Sequence, residues 1–209
     1  MKPLIDYSVY LVTDTVYFND ESIWNKMEAA LAAGVTLVQY RDKTAESRIL
    51  YERALKMKAL CDKYKVPMLV DDRADIAFAI GAAGVHVGQS DLPAEIARRL
   101  LGADAIIGVS AHNAAEARAA EAAGADYLGC GAVYPTGTKK DTSVIGTEGL
   151  KAICAATKLP FVGIGGITLA NYGEVLAAGA NGAAVVSAIL GADNITAVVK
   201  KFKQLSLKK

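Results

Sequence analysis

Residues 32–40 read Ala-Ala-Gly-Val-Thr-Leu-Val-Gln-Tyr, and this stretch contains the unit from which the fold is built. Alanines suit the last turn of a helix, and a glycine suits the left-handed backbone position that ends it. The run Val35–Tyr40 that follows is typical of a buried strand. The phrase returns as Ala-Ala-Gly-Val at 82–85 and as Ala-Ala-Gly-Ala at 122–125 and 177–180. Each glycine of this repeat is predicted to end a helix just before a strand.

Apolar runs of this kind alternate with Ala-rich amphipathic segments along the whole chain. The predicted strands are Val9–Thr13, Val35–Tyr40, Met68–Val70, Gly84–Val87, Ala105–Val109, Tyr127–Cys130, Phe161–Ile164 and Gly182–Val186. The predicted helices span about 22–33, 44–64, 74–81, 93–101, 113–123, 147–157, 168–178 and 193–205. An open doubly wound sheet is the alternative, but even spacing without a long crossover favours closure. The sequence therefore predicts an α/β protein in which residues 1–209 form one (β/α)8 TIM barrel, a single catalytic domain near the lower size limit of that fold.

Composition limits the partners of the chain. A net charge of +1 creates no general field that would attract nucleic acid or anionic lipid. Cys61, Cys130 and Cys154 form no Cys-x-x-Cys pair, which indicates a reducing compartment and neither a disulfide framework nor a zinc site. Glycine and polar residues interrupt the apolar region 175–192, so it predicts no membrane span. We expect a cytoplasmic protein with small-molecule partners and no nucleic-acid or membrane partner; a homo-oligomer is compatible with the sequence.

The first group of candidate functional residues follows the second predicted strand. Gln39, Arg41 and Lys43 alternate along an extended segment, so their side chains project to the same side. A guanidinium fork beside an ammonium group suits a diphosphate. A salt-bridged strand end, with Asp42 as the local partner, is the structural alternative.

Two acidic residues follow the next two strands. Asp72 comes at the end of the third strand and Asp91 comes after the fourth, and neighbouring barrel strands place such residues within reach of one cation. Mg²⁺ is typically held by one or two carboxylates, with phosphate oxygens and waters completing its coordination. For Asp91 the alternative is an N-cap of the helix that begins near Pro93.

A second anion site is predicted on the opposite side of the barrel mouth, the end of the barrel at which the strands reach their C-termini. The loop Tyr134-Pro-Thr-Gly-Thr-Lys-Lys-Asp141 offers hydroxyls, backbone N–H groups and lysine charge to a phosphate. The loops Gly163–Thr168 and Val185–Ala188 follow the last two strands, a common place for a phosphate cradle in barrels. His112 is a candidate acid or base or a packing residue. His86 alternates with core valines and is interpreted as structural. Two facing anion sites favour a transfer between two phosphorylated substrates.

At these residues the chain resembles the thiamine-phosphate synthase (thiamine-phosphate pyrophosphorylase) family over nearly its full length. The motifs are Tyr10–Asp14, Gln39–Lys43, Asp72-Arg73, Gly84–Pro93, Ile107–Ser110, Pro135–Asp141, Gly165–Ile167 and Val185–Ile189. The resemblance implies that 4-amino-5-hydroxymethyl-2-methylpyrimidine diphosphate is joined to a thiazole phosphate, 4-methyl-5-(2-phosphooxyethyl)thiazole or its carboxylated form. The products it implies are thiamine phosphate and pyrophosphate.

The resemblance also implies a role for each matching residue. Substrate contacts are implied for Gln39, Tyr40, Arg41, Asp42, Lys43, Asp71, Ser110, Thr136, Gly137, Thr138, Lys139, Gly166, Val186 and Ser187. Among these, the implied catalytic groups are Arg41, Lys43, Ser110 and Lys139. Asp72 and Asp91 are the implied ligands of a Mg²⁺ cofactor.

One position departs from the family, which usually has Asn where this chain has Asp71. An ionised carboxylate only accepts hydrogen bonds, whereas an amide both donates and accepts. Two other functions stay open. A thiazole tautomerase shares the barrel and the thiazole-phosphate site but needs neither the metal aspartates nor the Thr-Lys loop. A non-catalytic regulator that binds thiazole phosphate would keep the pocket alone.

Overall fold

The structure, a computed structural model, describes residues 4–137 and 143–207. Parallel strands pair in chain order, and the last strand pairs with the first to close a barrel. The strands are β1 Val9–Val12, β2 Leu37–Tyr40, β3 Met68–Asp71, β4 Gly84–Val87, β5 Ile106–Ala111, β6 Tyr127–Gly131, β7 Phe161–Ile164 and β8 Gly182–Val185. The predicted (β/α)8 TIM barrel is confirmed.

Helices surround the barrel, and at least one follows each strand. They are α1 Ser22–Ala33, α2 Ser47–Lys63, α3 Ala74–Ile80, α4 Ala94–Leu101, α5 Ala114–Ala122, α6 Gly146–Cys154, α7 Tyr172–Ala177, α8 Ser187–Leu190 and α9 Ile195–Ser206. Strand ends agree with the predicted ones to within two residues, and helix ends to within four. The sequence did not predict the short helix α8 or the 3₁₀ helix Thr15–Asn19. Within the described residues, no helix combines the length and apolar character needed to span a bilayer.

Both faces of the strands are buried. Alternate residues of a barrel strand face the interior and the surrounding helices. In β2, Leu37 packs in the interior cluster with Tyr10 and Leu69, whereas Val38 packs with the helices. The helices bury one stripe each; in α2 the stripe consists of Leu50, Ala54, Met57 and Cys61. A buried position in a strand therefore does not by itself tell a core residue from one that faces the mouth.

The Ala-Ala-Gly repeat marks a helix end at three of its four occurrences. Gly34, Gly124 and Gly179 all have the positive φ that was predicted, at 113°, 80° and 102°. The prediction is wrong for Gly84, which lies inside β4; Gly81, with φ 63°, ends α3 instead. Gly84 serves a different purpose, because a Cβ there would lie 1.9 Å from the Ile106 carbonyl oxygen of β5.

Candidate active site

A cavity of about 420 Å³ opens at the C-terminal ends of the strands, and every strand or the loop that follows it contributes to its lining. Eight residues that the sequence predicts as substrate contacts line it: Gln39, Arg41, Asp71, Ser110, Thr136, Gly166, Val186 and Ser187. Side chains at strand ends converge on this mouth because all strands run parallel. The structure thus brings together residues that are separated by up to 148 positions, from Gln39 to Ser187.

Charged side chains crowd the mouth beside β2 and β3. Arg41 forms an ion pair with Asp14, and Lys43 forms one with Asp72. Asp71 lies between the two cations, with its Oδ2 atom 3.0 Å from Lys43 Nζ and 3.5 Å from Arg41 Nε. The Asp71 side chain is only 10% exposed. Burial raises the pKa of Asp71, although the charges of Lys43 and Arg41 act in the opposite direction.

Asp72 and Asp91 come close to each other, as the sequence predicts. Burial, the charge of Asp71 and a hydrogen bond with Asp91 raise the pKa of Asp72 to about 6, against the opposing effect of Lys43. The backbone of Asp72 is left-handed, with φ 57°, a conformation that few non-glycine residues adopt. Asp72 and Asp91 are not among the cavity-lining residues, but Asp72 adjoins Asp71, which is. Two neighbouring carboxyl groups of this kind form a donor set that suits a hard divalent cation.

Asp91 is held in place by the backbone and not by a helix. Its Oδ2 atom accepts a hydrogen bond of 2.8 Å from the Gly88 N–H. A Cβ at Gly88 would lie 2.7 Å from the same oxygen, so a larger residue there would displace the Asp91 carboxylate. The N-cap alternative fails, because Pro93 precedes α4 and no side chain caps that helix. In the part of the chain that the structure describes, no group of three or more His, Cys, Asp or Glu side chains is arranged around one metal position.

The structure separates Tyr40 and Asp42 from the other residues of the Gln39–Lys43 stretch. The Tyr40 ring is buried among the helices, 5.4 Å from the ring of Phe18. Asp42 accepts a hydrogen bond of 2.8 Å from Arg53 and others from the N–H groups that precede α2. The physical reason is strand alternation: the odd positions face the mouth and the even ones face the helices. Neither residue lines the cavity, so the contacts expected of both are not supported by the geometry.

Backbone groups and small residues form the opposite side of the mouth. Gly165 and Gly166 follow β7 with φ 94° and 66°. A Cβ on Gly166 would lie 2.6 Å from the Pro135 carbonyl oxygen, so the segment that follows β6 packs directly against this glycine. Asn171 fixes the loop, since its amide donates to the Gly166 carbonyl at 3.1 Å and its oxygen accepts from the Thr168 N–H at 2.8 Å.

The remaining residues predicted on this side fall into two groups. Thr136, Val186 and Ser187 line the cavity, and α8 begins at Ser187. Gly137 is exposed and is not among the lining residues. Thr138 and Lys139 lie outside the described residues. The prediction that they contact substrate stays a prediction.

Both histidines line the cavity. His112 Nδ1 lies 2.8 Å from Glu116 Oε2 on the first turn of α5, which orients the ring. His86, interpreted from the sequence as structural, faces the barrel interior and lies 3.0 Å from the Ser110 hydroxyl. The signal was present in Gly84-Val-His-Val87: the two valines pack against the helices, so His86 takes the interior face.

Comparisons with known proteins agree with this geometry. The sequence profile of the family described as "Thiamine monophosphate synthase" matches residues 9–189. A "Thiamine-phosphate synthase" from Ruminiclostridium cellulolyticum is 45% identical over 209 residues and covers 100% of both chains. A second protein of that name, from Clostridium acetobutylicum, is 49% identical over 191 residues, which cover 91% of this chain and 90% of the relative.

A solved structure agrees as well. The "Thiamine phosphate pyrophosphorylase from Pyrococcus furiosus" superposes with a TM-score of 0.86 and 36% sequence identity, covering 97% of each chain. Similarity therefore extends over the strands, helices and loops that form the cavity, and is not confined to one motif.

Proposed function

This chain belongs to the thiamine monophosphate synthase family, and we propose from that premise that it is a Mg²⁺-assisted transferase that forms thiamine phosphate. Its substrates are 4-amino-5-hydroxymethyl-2-methylpyrimidine diphosphate and a thiazole phosphate, either 4-methyl-5-(2-phosphooxyethyl)thiazole or its carboxylated form. Pyrophosphate leaves. The observation that carries the proposal is one cavity with two unlike sides, one charged and one lined by glycines and hydroxyl groups, which suits two phosphorylated substrates held face to face.

The charged side of the mouth is proposed to hold the diphosphate. Arg41 and Lys43 are already paired with acidic groups there, so they are oriented before a ligand arrives. Gln39 and Ser110 line the deeper part of the cavity and contact the pyrimidine ring in this proposal. Lys139 is assigned to the diphosphate by its place in the sequence alone. Positioned cations stabilise the negative charge that develops on a leaving diphosphate.

Asp72 and Asp91 are proposed to hold Mg²⁺. Their carboxyl groups face each other, and a hard cation with phosphate and water ligands needs no more than two of them. When bound, the ion supplies electrostatic stabilisation of the departing diphosphate. Asp71 stays close enough to the same cluster to influence it, and its role beside the cations is to hold Lys43 and Arg41 toward the cavity.

The glycine side of the mouth is proposed to hold the thiazole phosphate. Thr136 and Ser187 offer hydroxyls, and Gly166 and Val186 offer backbone N–H groups, around the same part of the cavity. Thr138 joins them by its place in the sequence. A monophosphate needs fewer donors than a diphosphate, and backbone N–H groups supply them without a full charge.

The chemistry follows from the substrates. The C–O bond to the diphosphate breaks, its electron pair leaves with pyrophosphate, and the thiazole nitrogen lone pair forms the new C–N bond. The amino group of the pyrimidine supports a cationic methylene carbon, so bond breaking runs ahead of bond making. The nitrogen carries no proton that must be removed, so no protein base is required. An electron-withdrawing substituent on the pyrimidine should slow turnover by orders of magnitude; an unchanged rate would contradict this order of events.

The direct test is to incubate the purified protein with both substrates and Mg²⁺ and to measure thiamine phosphate by mass and pyrophosphate by a coupled assay. Equal amounts of both products are expected. Omission of either substrate is the control. Failure to form thiamine phosphate under these conditions overturns the proposed function.

Asp72→Ala separates the proposal from its two rivals. The substitution should abolish transfer, whereas a tautomerase would keep its activity and a regulator would keep its binding of thiazole phosphate. Asp75→Ala is the matched control, because Asp75 pairs with Arg73 at the start of α3 and its side chain is 65% exposed, whereas that of Asp72 is 21% exposed. Transfer that survives in the Asp72 variant contradicts the metal assignment.

A further inference from the structure

A continuous row of hydrogen bonds crosses the barrel, and four of its five residues line the cavity. Gln39 Nε2 donates to the Tyr10 hydroxyl at 2.7 Å, and the Tyr10 and Tyr127 hydroxyls lie 2.7 Å apart. Tyr127 Oη lies 2.8 Å from His86 Nδ1, and His86 Nε2 lies 3.0 Å from Ser110 Oγ. The row joins a residue of β2 to one of β5 through three buried side chains, two phenols and an imidazole. We call it the polar row.

Counting protons fixes the direction of every bond in the polar row. Among the described residues the Tyr10 hydroxyl has two hydrogen-bond partners; it accepts from Gln39, so its own proton goes to Tyr127. Tyr127 then accepts from Tyr10 and donates to His86 Nδ1. With Nδ1 as acceptor, neutral His86 carries its proton on Nε2 and donates to Ser110 Oγ. The Ser110 hydroxyl is left with its own proton to donate.

The opposite direction does not fit the same contacts. If Ser110 donated to His86, Nδ1 would carry the proton, Tyr127 would donate to Tyr10, and Tyr10 would face the Gln39 amide with a proton of its own. A charged imidazolium gives the same result: Tyr127 would accept from Nδ1 and donate to Tyr10, and the Tyr10 proton would have no acceptor. The phenols keep their protons, because burial raises the pKa of both Tyr10 and Tyr127 well above the ordinary value.

The backbone reserves space for the two rings at the centre of the polar row. A Cβ on Gly108 would lie 2.3 Å from the Tyr127 ring, and a Cβ on Gly129 would lie 2.9 Å from His86 Cε1. Both glycines are in strands, where glycine is otherwise disfavoured. Their presence is explained by the need to admit Tyr127 and His86 to the interior.

We propose that the Gln39 amide, acting through Tyr10, Tyr127 and His86, fixes the Ser110 hydroxyl as a hydrogen-bond donor to the ligand in the cavity. Tyr127 and His86 are then positioning residues, and the ligand atom that faces Ser110 is an acceptor such as an unprotonated ring nitrogen. That the acceptor belongs to the pyrimidine rests on the proposed function. The direction of the polar row does not rest on it, because the row consists of protein groups alone.

The imidazole tautomer tests the direction. The chain contains two histidines, so ¹⁵N NMR of the side chains gives two sets of signals, and His112→Gln identifies the set that belongs to His86. At pH 8 without substrates we expect His86 to carry its proton on Nε2. A proton on Nδ1, or on both nitrogens, overturns the proposal.

Gln39→Glu tests whether residue 39 sets the direction. An ionised carboxylate only accepts, so Tyr10 turns its proton to it, and the bonds of the polar row reverse one after another. The proton of His86 should move from Nε2 to Nδ1, a nitrogen that three hydrogen bonds separate from the substitution. An unchanged tautomer in a folded variant overturns the role of Gln39. Neither spectrum depends on whether the protein forms thiamine phosphate.

Tyr127→Phe tests the consequence for the ligand. Loss of the hydroxyl releases His86 Nδ1, and kcat/KM for the pyrimidine diphosphate should fall about tenfold while KM for the thiazole phosphate stays unchanged. Tyr172→Phe is the matched control, since it removes another buried tyrosine hydroxyl, one that donates to the Ser8 carbonyl at 2.7 Å outside the polar row. Equal losses in the two variants, or a loss shared by both substrates, contradict the positioning role.

Discussion

The two sides of the mouth are built from different parts of the chain. Beside β2–β4 the mouth is formed by charged side chains: Arg41 and Lys43 lie among carboxylates that are mostly buried. Beside β6–β8 the described cavity lining carries no charged side chain, and glycines bring the backbone itself to the surface. We therefore expect anion binding to depend on charge at the first side and on the shape of the backbone at the second.

This difference teaches which changes each side tolerates. Ion pairs at a half-exposed site respond to charge removal and to salt, whereas N–H groups of a fixed loop respond to neither. A loop held by close contacts responds instead to added volume. Substitutions chosen by these criteria should impair one side of the mouth and spare the other.

Removal of one carboxylate from the charged side should have the largest effect. Asp91→Asn keeps the shape of the side chain but removes half of the proposed ligand charge, and kcat/KM should fall by about a thousandfold, in line with several kcal/mol of lost transition-state stabilisation. Steady-state kinetics at saturating Mg²⁺ measures the loss. Binding of thiazole phosphate, followed by calorimetry, should be preserved; its loss would show that the two sides are not independent.

Added volume on the glycine side should have the next largest effect. In Gly166→Ala the new Cβ would lie 2.6 Å from the Pro135 carbonyl oxygen, on a residue whose φ of 66° disfavours any side chain. We expect the KM for thiazole phosphate to rise by about tenfold to a hundredfold, the equivalent of one to two lost hydrogen bonds. The KM for the diphosphate should change little.

Gly173→Ala is the matched control for that experiment. Gly173 lies in α7, a Cβ there meets nothing within 4 Å, and alanine is the better helix former. Its kinetic constants should equal those of the wild type, and its thermal midpoint should not fall. A control variant as impaired as Gly166→Ala would mean that the region tolerates no substitution at all.

Salt should produce the smallest effect and should distinguish the two sides without any mutation. Raising ionic strength from 0.05 to 0.5 M shortens the Debye length to roughly 4 Å and weakens the attraction between half-exposed Lys43 and a polyanion. The KM for the diphosphate should rise about threefold, and that for thiazole phosphate by less, at constant free Mg²⁺. Equal salt dependence of the two constants contradicts the division into a charged and an uncharged side.

Most of the fold could be predicted from the sequence, because each β/α unit repeats one local pattern. The units are short, and an amphipathic helix such as α2 buries residues that recur on one helical face. Gly84 shows the limit of the pattern: the same phrase that ends a helix elsewhere here begins a strand. The sequence alone does not distinguish a glycine that is needed for a positive φ from one that is needed for close contact between neighbouring strands.

The site was predicted less completely, for a reason that lies in the barrel. Strand ends identify which stretches reach the mouth: Gln39 and Arg41 line the cavity, and Asp72 and Asp91 lie close to each other, as the sequence predicts. They do not identify which face of a strand is interior, because both faces are buried. Tyr40 was expected to contact substrate for that reason but faces the helices, whereas His86 was interpreted as structural and its place in the cavity lining was missed. Knowing the interior residue of one strand would have corrected both.

The crowding of acids around the two cations of the mouth has a consequence for ligand choice. Asp14, Asp71 and Asp72 already occupy Arg41 and Lys43 before any substrate enters. An incoming anion must therefore displace carboxylates, and the net gain is the difference between two similar attractions. An anion with a single weak contact gains nothing from the exchange, whereas one that arrives with its own countercation relieves the repulsion among the acids. We therefore expect the mouth to discriminate against free inorganic anions by competition from carboxylates of the protein itself.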